Sequence, residues 1–229
     1  TRLDQRPEGF VLQVEGGRVD HGAHSNDAAS IVREQLDFDD AIAEVLRFLD
    51  DGKRDDTLVI ITTDHGNANP GLTVYGQASK DGFERLAHAK RSFEWIMAKV
   101  ATFPSEERAM RAPSVVEEAT GLSFDEEEQA ILRDGMAGKR VAPFREQSKM
   151  EPVLGGLLAN YYGVGFVSGN HTADDVEVTA FGPGSETITP TGHNKDLHRV
   201  MVDALALPPG EPLEEMRERV RFPGKPKAD

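Results

Sequence analysis

The chain has 229 residues, 38% of them hydrophobic and 29% charged, enough for one large globular domain or two small ones with a real core. A balance of 40 acidic against 26 basic residues gives a net charge of -14, which argues against nucleic-acid or anionic-membrane binding, and the lack of cysteine excludes disulfides and thiolate zinc sites. No apolar run approaches bilayer-crossing length, and "TRLDQRPEGF" has neither an initiator Met nor the layout of a signal peptide, so the chain reads as cut from something longer.

"GFVLQVEG", residues 9–16, is an apolar run of strand length. Behind it, over residues 25–49, Ile31, Leu36, Phe38, Ile42, Val45, Leu46 and Leu49 recur at helical spacing, so strand, loop and helix are expected, closed by Asp50-Asp51-Gly52. "TLVIITTDHG" is rich in β-branched residues and predicts a second strand, buried on both faces of an α/β sheet. A polar, Gly/Pro-marked loop follows over residues 66–82. Residues 83–132 read as helix, Pro-interrupted link and helix, with Phe83, Leu86, Phe93, Ile96, Met97 and Val100 in one apolar stripe. Ser123 with Glu126 predicts a capping box there, and the stretch is expected to be a helical insert, a lid or subdomain. After "GFVSGNHTADD" come a final strand, "VEVTAFGPG", and a helix through "NKDLHRVMVDALAL"; the tail from Pro223 is expected to fray.

Metal-grade side chains gather where these strands end. "VEGGRVDHGAH" packs Glu15, Asp20, His21 and His24 directly behind the first apolar run, Asp64 and His65 end the second, and His171 lies in a loop before the third. In an open α/β sheet, small-molecule chemistry sits beyond the carboxyl ends of the strands. Asp20 and His24 are four apart, so they share a face if their loop tightens into a helical turn. Carboxylates mixed with imidazoles suit zinc or a similar divalent ion, with magnesium at a carboxylate-dominated position. Each signal alone is also explained by capping or solvation, but three clusters at three strand ends are hard to explain as surface accident.

"FVLQVEGGRVDHGAH", "LDFDDAI", "DTLVIITTDHG" and "NHTADDVEVTAFGPG", in this order, resemble the second half of an alkaline phosphatase. The resemblance implies a three-layer αβα sandwich with a largely parallel central sheet. It implies one zinc held by Asp20, His24 and His171, a second by Asp64 and His65, and a nearby magnesium by Glu15, with His21 helping to choose the third metal. It further implies hydrolysis of small phosphate monoesters through a serine nucleophile and a phosphoseryl intermediate, in a periplasmic or secreted protein, as a possible homodimer. The family's nucleophile sits in an Asp-Ser-Ala-type motif of the first half, and no Asp-Ser pair occurs here. Ser25, Ser30 and Ser168 lack that context, so the N-terminal half of the same protein is the expected partner and the chain alone is expected to be inactive. Asn67 stands where many members carry another His, a departure that bears on tuning of the zinc. "TDHGNAN" is also similar to cofactor-independent phosphoglycerate mutases, which would mean phosphoryl transfer within a sugar acid. A non-catalytic metal-binding domain is the remaining alternative.

Overall fold

Residues 9–142, 147 and 149–206 are described in the computed structural model, which divides into two compact units. One takes residues 9–11, 52–61 and 178–206; the other takes 12–51 and 62–177.

The first apolar run forms no strand. Residues 9–16 belong to none of the described strands, and Val11, Leu12 and Val14 are exposed. Strand-forming composition yields a strand only where a neighbour completes the hydrogen-bond ladder. The chain then enters α1 (Gly17–His24), turns, and runs through α2 (Ala28–Asp50). The helix expected from residue 25 begins three residues later because Asp27 caps it: the carboxylate accepts from Ser30 N at 3.1 Å and Ser30 Oγ at 2.6 Å. The same carboxylate accepts from Phe93 N at 2.8 Å, which ties this cap to the helical stretch further on.

In the first unit, β1 (Val59–Thr62) pairs with β6 (Val178–Phe181). Against expectation β1 is half-buried and ends exposed at Thr62. Burial on both faces needs a layer of helices on each side, and the described residues of this unit supply one helix, α8 (Asp196–Ala204). The segment from Pro223 lies outside the described residues.

In the second unit, the loop expected over residues 66–82 holds two short strands, β2 (Gly66–Asn67) and β3 (Pro70–Leu72), and the start of α3 (Gln77–Ala87). β2 pairs antiparallel with β5 (His171–Thr172), and β3 pairs antiparallel with β4 (Val164–Phe166). Strands this short need few β-formers, so their composition reads as loop. His171, expected in a loop, therefore sits in a ladder, opposite Asn67.

Helices α4 (Phe93–Ala101), α5 (Arg108–Thr120), α6 (Glu126–Met136) and α7 (Met150–Tyr162) complete the unit. The capping box of α6 lies two residues beyond the expected Ser123 and Glu126. Asp125 Oδ1 accepts from Glu128 N at 2.9 Å, and Glu128 Oε2 accepts from Asp125 N at 3.1 Å. Phe124 decides this: buried against the edge of Tyr161, it holds the chain extended until Asp125. α7 has no counterpart in the sequence reading, since its Pro152, Gly155 and Gly156 look like loop punctuation.

Leu86, Phe93, Ile96, Val100, Val116, Leu132, Leu154 and Leu158 form one core with Ala28 and Ala29 of α2. Phe83, read as part of this stripe, is 42% exposed. Each fully buried Leu or Ile contributes about 1.5–3 kcal/mol before entropy is counted. α3 comes so close to α7 that a Cβ on Gly82 would stand 2.6 Å from the Tyr162 carbonyl oxygen. No described helix is long and apolar enough to cross a membrane.

Candidate metal centre

Helix α1 does what the spacing of its ligands requires. Asp20 and His24 lie one turn apart on one face, with His24 Nε2 at 3.6 Å from Asp20 Oδ2. Asp64 and His65 follow the end of β1, and His65 Nε2 lies 3.4 Å from Asp64 Oδ2. The β2–β5 ladder brings His171 in, since it opposes Asn67 two residues past His65. The His65 and His171 rings stack with centroids 3.5 Å apart, the His24 and His171 centroids are 5.0 Å apart, and His171 Nε2 lies 3.9 Å from Asp20 Oδ1. Asp20, His65 and His171 each offer a coordinating atom within 4.8 Å of the other two.

Four of the six expected ligands, Asp20, His24, His65 and His171, therefore come together, while Asp64 is largely exposed and meets His65, its neighbour in sequence. The tight trio, which could hold a metal ion, draws members from both expected zinc sets and coincides with neither. Glu15 is exposed and outside the trio; its Oε1 lies 3.0 Å from where a Cβ on Gly17 would stand. His21 is exposed on α1, on the helix whose Arg18 pairs with Glu94 of α4 at 2.6 Å.

The two histidine–carboxylate pairs share one design. His24 Nδ1 lies 2.8 Å from the Gly169 carbonyl, and His65 Nδ1 lies 3.2 Å from the Gly66 carbonyl. A carbonyl only accepts, so each Nδ1 carries the proton and each Nε2 is turned toward a carboxylate. A divalent cation seated between each Nε2 and its carboxylate would take a lone pair from both. Nitrogen and oxygen donors without thiolate match a borderline divalent ion. The donor set thus fits a divalent metal ion.

Two supports were not assigned from sequence. Asn67, noted there only as a departure, donates from Nδ2 to Asp20 Oδ1 at 2.6 Å and to the Asp20 carbonyl at 3.3 Å, so it holds the carboxylate in place. Ala68, fully buried, takes a left-handed φ of 55° that lets its N–H donate to the Asn170 carbonyl at 2.9 Å while its own carbonyl accepts from Val167 N. Left-handed backbone costs a non-glycine residue roughly 1–2 kcal/mol, which these bonds offset.

Known proteins similar in sequence and fold point one way. The alkaline phosphatase family matches residues 1–207. Alkaline phosphatase 3 of Bacillus subtilis is 25% identical over 206 residues, covering 89% of this chain and 42% of that protein. Alkaline phosphatase 4 of the same organism is 29% identical over 205 residues, covering 89% of this chain and 41% of that protein. The crystal structure of Thermus thermophilus alkaline phosphatase superposes with a TM-score of 0.75 at 25% identity, over 92% of this chain and 48% of that one. A cold-active alkaline phosphatase from Shewanella sp. shares the fold with a TM-score of 0.66 at 22% identity, over 89% of this chain and 47% of that one. The chain spans less than half the length of these relatives. With a family match over nearly its whole length and the same α/β fold, this chain belongs to the alkaline phosphatase family.

Proposed function

We propose that the protein to which this chain contributes hydrolyses small phosphate monoesters at a centre of two zinc ions and one magnesium ion. Asp20, His24 and His171 would hold one zinc, Asp64 and His65 the other, and Glu15 the magnesium. The observation that carries this reading is the convergence of Asp20, His65 and His171 donors within 4.8 Å, with His24 beside Asp20 and Asp64 beside His65. When bound, such ions supply positive charge to the phosphoryl oxygens and acidify water.

The chain's own residues orient the site. Gly169 and Gly66 carbonyls fix the two imidazoles, and Asn67 fixes Asp20. Glu15, Asp20 and Asp64 bring three carboxylates, fewer charges than three dications carry, so a loaded site attracts phosphate despite the net charge of -14. The attacking serine belongs to the N-terminal half of the same protein. Residues 83–132 would serve as a lid or subdomain within a domain spanning 1–229, one that shares its core with Ala28 and Ala29 of α2. Homodimerisation and a periplasmic or secreted location follow from the family resemblance.

The test is turnover of p-nitrophenyl phosphate by the full-length protein, before and after chelation and zinc restoration. Activity should vanish on chelation and return with zinc, while the isolated chain should do no better than a metal blank. Turnover indifferent to chelation overturns the proposal. Phosphoryl transfer within a phosphoglycerate without phosphate release would instead support a mutase, and metal binding without turnover in any version a non-catalytic domain.

A further inference from the structure

We infer that Asn26 is a positioning residue of the metal centre, seated against Gly155 of α7; this role presupposes the metal-centre reading above. Asn26 is 4% exposed and left-handed, with φ 55°. Its Nδ2 donates to two carbonyls, Ala23 at 3.1 Å and Ser168 at 2.7 Å. Ala23 belongs to the last turn of α1, which carries Asp20 and His24, and Ser168 belongs to the segment that leads into His171. One amide thus joins the helix with two candidate ligands to the segment with a third.

Neighbouring contacts make the join rigid. The next carbonyl, Gly169, is taken by His24 Nδ1 at 2.8 Å, and a Cβ on Gly169 would stand 3.0 Å from the His24 carbonyl oxygen. On its other side the segment bonds to Ala68, next to Asn67, which returns to Asp20 at 2.6 Å. The circuit from α1 through Asn26, residues 168–170, Ala68 and Asn67 closes on α1 again. Its outer wall is α7: a Cβ on Gly155 would stand 2.6 Å from Asn26 Cβ and 2.8 Å from the Asn26 carbonyl oxygen. Glycine at 155 therefore lets α7 set how deep the Asn26 turn sits.

The residue type fits the task. Asn and Gly both tolerate the left-handed region, but only Asn also brings an amide with two donor hydrogens. A residue that merely capped α1 would need the Ala23 bond alone. The bond to Ser168 is the one that fixes distances between ligands.

The experiment measures zinc affinity by competition with a chromogenic chelator, and the visible absorption of the cobalt-loaded full chain. Asn26→Gly keeps the left-handed backbone and removes the donors; Asn26→Asp keeps the shape and sets an oxygen against the Ser168 carbonyl. Both should weaken zinc binding about tenfold or more and alter the cobalt bands at saturation. Gly155→Ala should do the same without touching any ligand. Leu132→Ala, in the core away from the cluster, should lower Tm and leave both readings unchanged. If Gly155→Ala does not fold, as judged by circular dichroism, Asn26→Gly, which adds no atoms, carries the test. Wild-type affinity and cobalt spectrum in Asn26→Gly overturn the inference, as does an equal loss in Leu132→Ala. A wild-type chain that binds neither zinc nor cobalt overturns the metal-centre reading itself, whereas normal wild-type binding with unaltered variants removes only the role of Asn26.

Discussion

The imidazole of His65 lies face to face with that of His171, ring centroids 3.5 Å apart and planes inclined by 23°. The pairing of Asn67 with His171 in the β2–β5 ladder brings the two rings together, so the site depends on a two-residue strand. Substituting His171 by Ala in the active full-length protein should lower bound zinc to about one ion per site and cut phosphatase activity by at least about tenfold. His193→Ala should change neither. Elemental analysis showing both zinc ions retained, with normal turnover, would remove His171 from the ligand set.

Asn67→Ala takes away the 2.6 Å donor to Asp20 Oδ1. Metal affinity should fall roughly 10- to 100-fold, the usual cost of losing a group that orients a ligand. Asn67→Asp should be worse, because it sets one carboxylate against another. Chelator competition at fixed pH measures this, and unchanged affinity in Asn67→Ala would make the bond incidental.

Burial pushes the Tyr162 hydroxyl up to about 12, with the charge of Asp27 adding to the shift. The folded state then holds this proton more tightly than the unfolded chain, so the stability it contributes is present below pH 10.0 and is lost as pH rises toward about 12. Tyr162→Phe should flatten that alkaline decline in urea midpoints. It should not lower Tm near neutrality, because the buried hydroxyl has no hydrogen-bond partner among the described residues. Some decline should persist from Tyr161, also raised to about 12 by burial and by its bond to Glu128. A large drop in Tm for Tyr162→Phe at neutral pH would show that the hydroxyl has a partner after all.

Ile96 and Leu154 are fully buried in the core shared by α2 and the helices from α3 to α7. Replacing either by Ala should cost about 2–5 kcal/mol in urea unfolding, from lost transfer energy and the cavity left behind. A cost well under 1 kcal/mol would mean that the helical stretch unfolds apart from the core.

By itself the sequence determined the chemistry available. Asp20, His24, Asp64, His65 and His171 are legible as ligand types, and the four-residue spacing of Asp20 and His24 anticipated the face they share on α1. Long periodic segments such as α2 were legible too, since a 23-residue amphipathic helix repeats its signal many times. Tertiary structure decided what local signals cannot encode. "GFVLQVEG" has a strand's composition but acquires a ladder only from a neighbouring strand, whereas β2 and β5, two residues each, exist only because they pair with one another. The start of α6 moved because Phe124 is buried, and α7 escaped notice because the glycine that looks like a breaker at 155 is needed where Asn26 presses against the helix. Asn67 showed the same limit. Its residue type was visible, but its bond to Asp20 joins residues far apart in the chain, and only the folded backbone sets that distance.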